Sequence, residues 1–225
     1  MFSPEKPGGH EIESRENEYE YDAILVLGAV MEWNKITKKW EFPPIIDRYA
    51  GKLVMGKIRA FATKEAQSIA PVILVTGGSD VNPETGKRES RSVELSRLMT
   101  DVYQIPKEKV VPMGTAEASH TLGNADNLIK YIQENPSMLI KKRIAIISPR
   151  FQAERAKMMF DINPYFQENG ITLDWLIAED IIEEKYPKFK SWADRIYSSP
   201  EAETNRKMEE KGIEDLKSGG YKPVS

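Results

Sequence analysis

The sequence predicts an α/β fold of three layers, with a mostly parallel central sheet of about five strands and a set of C-terminal helices. Two observations predict it. Five short apolar runs are spaced along the chain, and three of them are nearly continuous in Ile, Leu, Val and Ala, as strands buried on both faces are. Between the runs, apolar residues recur with the 3.6-residue period of an amphipathic helix. Strand and helix therefore alternate, and right-handed crossovers would place helices on both faces of the sheet.

The first run is Asp22–Val30 (DAILVLGAV). Trp33–Phe42 follows it and reads as a short exposed hairpin or loop. Ile45–Ile69 has a helical pattern through Ile46, Tyr49, Leu53, Ile58, Phe61, Ala62, Ala66 and Ile69. The second run is Val72–Thr76 (VILVT), followed by a polar loop, Ser79–Glu89, and by a helical pattern over Ser92–Val102. The third run is Lys109–Met113, and Leu128, Ile129 and Ile132 mark a helix over Ala125–Ile132. The fourth run, Arg143–Ser148 (RIAIIS), leads into a helix over Gln152–Phe160, and the fifth is Ile171–Ala178. From Glu183 to Lys217 the chain is charged and helical, and Gly219-Gly220 ends that pattern. The organisation read from this is a disordered tail over residues 1–20, one α/β domain over 21–180, and a helical extension over 181–225 packed on the same domain.

The net charge of −3 gives no electrostatic case for nucleic-acid binding. The absence of cysteine excludes disulfides, thiol catalysis and cysteine-ligated zinc. The first twenty residues have no apolar core of a secretory signal, and no stretch approaches the roughly 18 apolar residues of a membrane span, so a cytoplasmic protein without a membrane span is expected.

In open α/β sheets ligands bind beyond the carboxyl ends of the strands. The residues that follow the predicted strands there are small, polar or charged. They are Gly28 after the first, and Thr76, Gly77, Gly78, Ser79 and Asp80 after the second. Gly114, Thr115, Glu117, Ser119, Thr121 and Asn124 follow the third, and Ser148, Pro149, Arg150 and Arg155 the fourth. Gly77-Gly78 can present backbone N–H groups to an anion, or simply turn the chain out of a strand. The loop over 79–89 can be a lid or a plain solvated loop. Glu94, in the first turn of its helix, either serves the helix dipole or points a carboxylate at the site. Thr121 and Asn124 can cap a helix or bind a ligand together. Arg155 can clamp a phosphate or carboxylate, or lie on the surface.

Gly51 to Lys57 matches the first seven positions of a phosphate-binding P-loop, but Ile58 replaces the metal-binding hydroxyl and the match lies in a helical pattern, so it is rejected. His10 and His120 have no metal-like spacing, and no metal site is expected.

The order of these motifs carries a resemblance. Asp22–Gly28 (DAILVLG), Arg48 and Ala50, Ile73–Gly78 (ILVTGG), Glu94, Glu117–Ala125 (EASHTLGNA) and Ile146–Ala156 (IISPRFQAERA) together resemble the YdcF/SanA/ElyC-like domain family, bacterial proteins with a Rossmann-like α/β fold. The resemblance spans about Asp22 to Ala178. It implies a pocket lined by Gly28, Arg48, Gly77, Gly78, Glu94, Glu117, Thr121, Asn124, Ser148 and Arg155. It also brings an association with cell-envelope metabolism and with S-adenosylmethionine binding. Many relatives carry a histidine three residues before the last arginine, and here that position is Gln152, which cannot act as a general base.

Two functional readings follow. In the first, the chain is an enzyme acting on a small anionic or nucleotide-like metabolite. Gly28, Arg48, Gly77, Gly78, Ser79, Thr121, Asn124, Ser148 and Arg155 would then bind the ligand, and Glu94 and Glu117 would supply acid–base catalysis. In the second, it is a binding or sensing module without turnover, with S-adenosylmethionine as a candidate ligand, and Gln152 favours this. A scaffold that uses its charged C-terminal helices to hold a partner is a third.

Overall fold

Strand β1 (Ala23–Val26) lies at the centre of the sheet, and the packing on its two sides explains its unbroken apolar sequence. Ile24 and Val26 face one layer, and Ala23, Leu25 and Leu27 face the other. All four strand residues are fully buried. The structure is a computed structural model that describes residues 18–42, 55–114 and 121–220, with the side chains of Thr121 and Glu201 excepted.

Four parallel strands join β1. They are β4 (Ile73–Val75), β7 (Val110–Pro112), β8 (Arg143–Ser148) and β9 (Thr172–Ile177), in the spatial order β7-β4-β1-β8-β9. Every neighbouring pair is parallel. In chain order this is 3-2-1-4-5, the arrangement of a Rossmann-like sheet. Pro112, which cannot donate to a strand ladder, stands on an edge strand where the missing N–H costs least.

On one face lie helices α1 (Met55–Ala66), α2 (Arg91–Arg97) and α6 (Ala178–Lys185), which bury Ile58, Ala62, Leu95 and Ile182 against β1, β4 and β8. On the other lie α3 (Thr121–Glu134) and α4 (Arg150–Asp161), with the short α5 (Tyr165–Glu168), which bury Leu128, Ile132, Phe160 and Phe166. The predicted helix over 92–102 is two pieces. α2 ends at Arg97, and Leu98–Val102 continues as a wider turn in which Tyr103 N–H reaches Leu98 O at 3.2 Å. The predicted helix from Ile45 begins outside the described residues, as do residues 1–17 of the tail.

At the amino-terminal edge of the sheet, the Asp22 carboxylate accepts the N–H groups of Ile140 (3.1 Å), Lys141 (2.9 Å) and Arg143 (3.0 Å), which fixes the entry of β8 beside β1. At the opposite edge two excursions leave the sheet. Trp33–Phe42 forms an antiparallel hairpin, β2 (Glu32–Asn34) with β3 (Lys39–Glu41), and pairs Trp33 with Trp40. The stretch read as a polar loop, 79–89, is also a hairpin, of β5 (Ser79–Val81) and β6 (Arg88–Ser90).

The two turns are built alike. Asn34 Oδ1 accepts the N–H groups of Ile36 (2.9 Å) and Thr37 (3.1 Å), and Asn82 Oδ1 accepts those of Glu84 (2.9 Å) and Thr85 (3.1 Å). Each turn closes four residues after its asparagine on a left-handed residue, Lys38 at φ 56° and Gly86 at φ 67°. These are asparagine-initiated turns, and an ion pair between Lys38 and Glu84 joins them.

The C-terminal segment forms α6, α7 (Phe189–Tyr197) and α8 (Pro200–Lys217), and α8 packs along α4. Gly219 at φ 72° ends α8: its N–H bonds Leu216 O, and Gly220 N–H bonds Asp215 O, a Schellman closure. Among the described residues no helix is long and apolar enough to cross a membrane.

Candidate functional site

In this strand order the chain reverses direction across the sheet between β1 and β8, and ligands of such sheets lie beyond the carboxyl ends near that point. Three strands end there in glycine-bearing turns that press on one another. A Cβ on Gly28 would lie 2.6 Å from Gly77 Cα and 2.8 Å from Thr76 O. A Cβ on Gly77 would meet Arg91 Cβ at 3.2 Å, and one on Gly114 would meet Ser92 Oγ at 2.5 Å. The start of α2 therefore seats directly on the ends of β4 and β7. Arg91 N–H donates to Gly78 O at 2.8 Å, and the Arg91 guanidinium grips Asp80 through two bonds of 2.7 and 2.6 Å.

The structure distributes the sequence-predicted residues over three places. Gly28, Gly77 and Gly78 share the turn cluster, with Gly77 and Gly78 buried by the chain itself. Beneath them Thr76 Oγ1 donates to Asn124 Oδ1 at 3.0 Å, so Asn124 is tied to the strand end. Ser79 accepts Arg88 Nη1 at 3.2 Å, and Ser148 is fully buried. Arg155 stands apart from this cluster. It pairs through Nε and Nη2 with both oxygens of Glu209 on α8, and both side chains are largely buried. Glu94 lies in a third place, described next. Arg48 and Glu117 lie outside the described residues. Thr121 opens α3, but its side chain lies outside them too.

Glu94 borders a groove of about 750 Å³ between the two hairpins, α1 and α2. Lys39, Trp40, Lys57, Glu89 and Arg97 line it with Glu94. Burial raises the Glu94 carboxyl above the usual carboxylate range. Arg97 opposes the shift, Glu89 adds to it, and Lys39 opposes it. The Arg97 partner, 2.5 Å away, does not cancel the shift because its own side chain is 64% exposed and solvated. Across the groove, burial lowers the Lys57 ammonium, opposed by Glu41.

No family model, curated protein or solved structure matches the chain.

Glu94 and Lys57 both line this groove, burial raising the one pKa and lowering the other, and perturbed groups that share a cleft mark a candidate functional site. Among the described residues, no group of three or more His, Asp or Glu could hold a metal. Lys39, Trp40 and Lys57 escaped sequence reasoning. Lys57 figures there only in the rejected P-loop match, and the signal that could have found it is position. It stands on the helix that follows the first hairpin, on the side facing that hairpin.

A pH series tests Glu94. Its folded pKa is raised above that of an ordinary glutamate, so the folded state keeps a proton that the unfolded state has released. Stability attributable to Glu94 therefore falls as pH rises through that window and levels off above the folded pKa. Glu94→Gln removes the titration and should gain stability relative to the parent as pH rises. Urea unfolding from about pH 4 to about pH 8 measures this, and a difference that stays constant with pH would contradict the burial of the carboxyl.

Proposed function

We propose that the chain is an enzyme acting on a small anionic metabolite held at the carboxyl edge of the sheet, in the groove between the two hairpins. Glu94 transfers the proton, and Lys57 and Lys39 attract the anionic group. The observation that carries this reading is a groove large enough for a metabolite that brings the half-buried Glu94, its pKa raised by burial, together with Lys39 and Lys57. The order of motifs shared with YdcF/SanA/ElyC-like domains supports a ligand at this edge and includes Glu94.

The second reading is a module that binds a nucleotide-like ligand, S-adenosylmethionine among them, without turnover. It is favoured by Gln152, whose amide accepts a hydrogen bond from Arg59 and offers no base.

Thermal denaturation of the full chain with S-adenosylmethionine, nucleotides and sugar phosphates tests both. A true ligand at about 100 times its Kd adds about 2.7 kcal/mol. Lys57→Met should lose that shift. Glu94→Gln should keep it and lose turnover of the ligand so identified. A panel with no shift overturns both readings, and a Glu94→Gln chain with undiminished turnover overturns the role of Glu94.

A further inference from the structure

The groove that holds Glu94 is lined by two unlike sets of residues. Lys39 stands on β3 and Lys57 in the first turn of α1, whereas Val93, Leu98 and Val102 stand on α2 and the wider turn that continues it. The charges of the groove divide into engaged and free. Glu41 accepts the Thr37 hydroxyl at 2.6 Å and Asn34 Nδ2 at 2.9 Å, and Glu89 accepts Asn82 Nδ2 at 2.7 Å. Glu94 holds Arg97, Asp101 accepts the Thr100 hydroxyl at 3.0 Å, and Lys38 is tied to Glu84. Among the described residues, Lys39 and Lys57 make neither a hydrogen bond nor an ion pair, and Glu41 acts on them only through space. The charged donors left for a ligand are therefore these two ammonium groups.

The apolar set is equally open. Val102 is 64% exposed and Val93 37%. A lone exposed valine is ordinary on a protein surface. These two share one groove with Leu98, which lies one turn before Val102 and packs on the core beneath. Their placement follows from the fold. α1 and α2 each follow a parallel strand, so both start at the carboxyl edge and run back along the sheet. Lys57 and Val93, each third in its helix, lie near that edge, and Val102 lies about 13 Å further back at the rise of a helix. The groove thus has a basic mouth and an apolar wall leading away from it.

We infer that the ligand of this groove is an amphiphilic acid: a carboxylate or phosphate monoester held by Lys39 and Lys57, with an unbranched hydrocarbon tail lying along Leu98 and Val102. This rests on the reading of the groove as an anion site and adds the class of anion it selects. The lysines attract any small acid, and the apolar wall distinguishes acids by what they carry. Each methylene that leaves water there strengthens binding by up to about fourfold.

Calorimetric titration of the full chain with acetate, butyrate and hexanoate, and with ethyl, butyl and hexyl phosphate, tests the inference. At least one series should bind, and the tighter one identifies the acid group. Within it the longest member should bind at least about tenfold more tightly than the shortest. Val102→Asn, at an exposed position, should remove most of that gain and leave the shortest member unchanged. Lys57→Met should weaken every member alike. A series that binds without regard to tail length overturns the inference and leaves the anion reading standing. Two series that do not bind at all overturn both. A Val102→Asn chain that keeps the whole gain also overturns the inference, because the tail then lies elsewhere.

Discussion

Gly28→Ala is expected to destabilise the chain by about 3 kcal/mol, at the upper end of what overpacking costs. The added Cβ would stand 2.6 Å from Gly77 Cα and 2.8 Å from Thr76 O. Both are backbone atoms of the neighbouring strand end, so no side chain can rotate away. Relief requires β1 and β4 to part where they are hydrogen-bonded, as between Thr76 N–H and Val26 O at 3.0 Å. Gly77→Ala meets Arg91 Cβ at 3.2 Å and Gly28 Cα at 3.3 Å, a tight approach that a small shift relieves, and it should cost less. Urea unfolding of both variants measures the difference. Equal losses would mean that the close approach of the two strand ends does not govern this edge.

Glu209→Ala is expected to cost about 3 kcal/mol, because it strands the Arg155 guanidinium in a poorly solvated position. The Arg155 side chain is 18% exposed and that of Glu209 6%. The loss reflects an uncompensated charge rather than the worth of the pair, so the double substitution Arg155→Met with Glu209→Leu should recover most of it. Thermal melts of the single and double variants make the comparison. A double variant as unstable as the single one would show that α8 is held by packing lost in both.

The sheet was legible because strands buried on both faces leave a plain trace, as in Ala23–Val26 and Arg143–Ser148. The hairpin over 79–89 was less so. Its polar residues look like a loop, and the signal for its turn is the Asn82…Gly86 spacing, which Asn34…Lys38 repeats. At the candidate site, Glu94 was found as a carboxylate near the strand ends, but its groove is assembled from hairpins and helices distant in sequence. Arg59 was invisible for a different reason. A charged residue in a helix is read as solvent-facing, although its phase, four after Met55 and three before Ala62, puts it on the buried stripe. Arg155 was read as a ligand clamp, and only the folded chain shows that Glu209, 54 residues later, occupies it.

The central place of β1 has a consequence for the chain while it is being made. Its partners come much later: Ile24 pairs with Ile73 on one side, and Ala23 with Ile144 on the other. At ordinary rates of translation the second partner leaves the ribosome on the order of 10 s after the first strand. Throughout that interval this wholly apolar strand has at least one edge without a neighbour, and a chaperone has a clear task there.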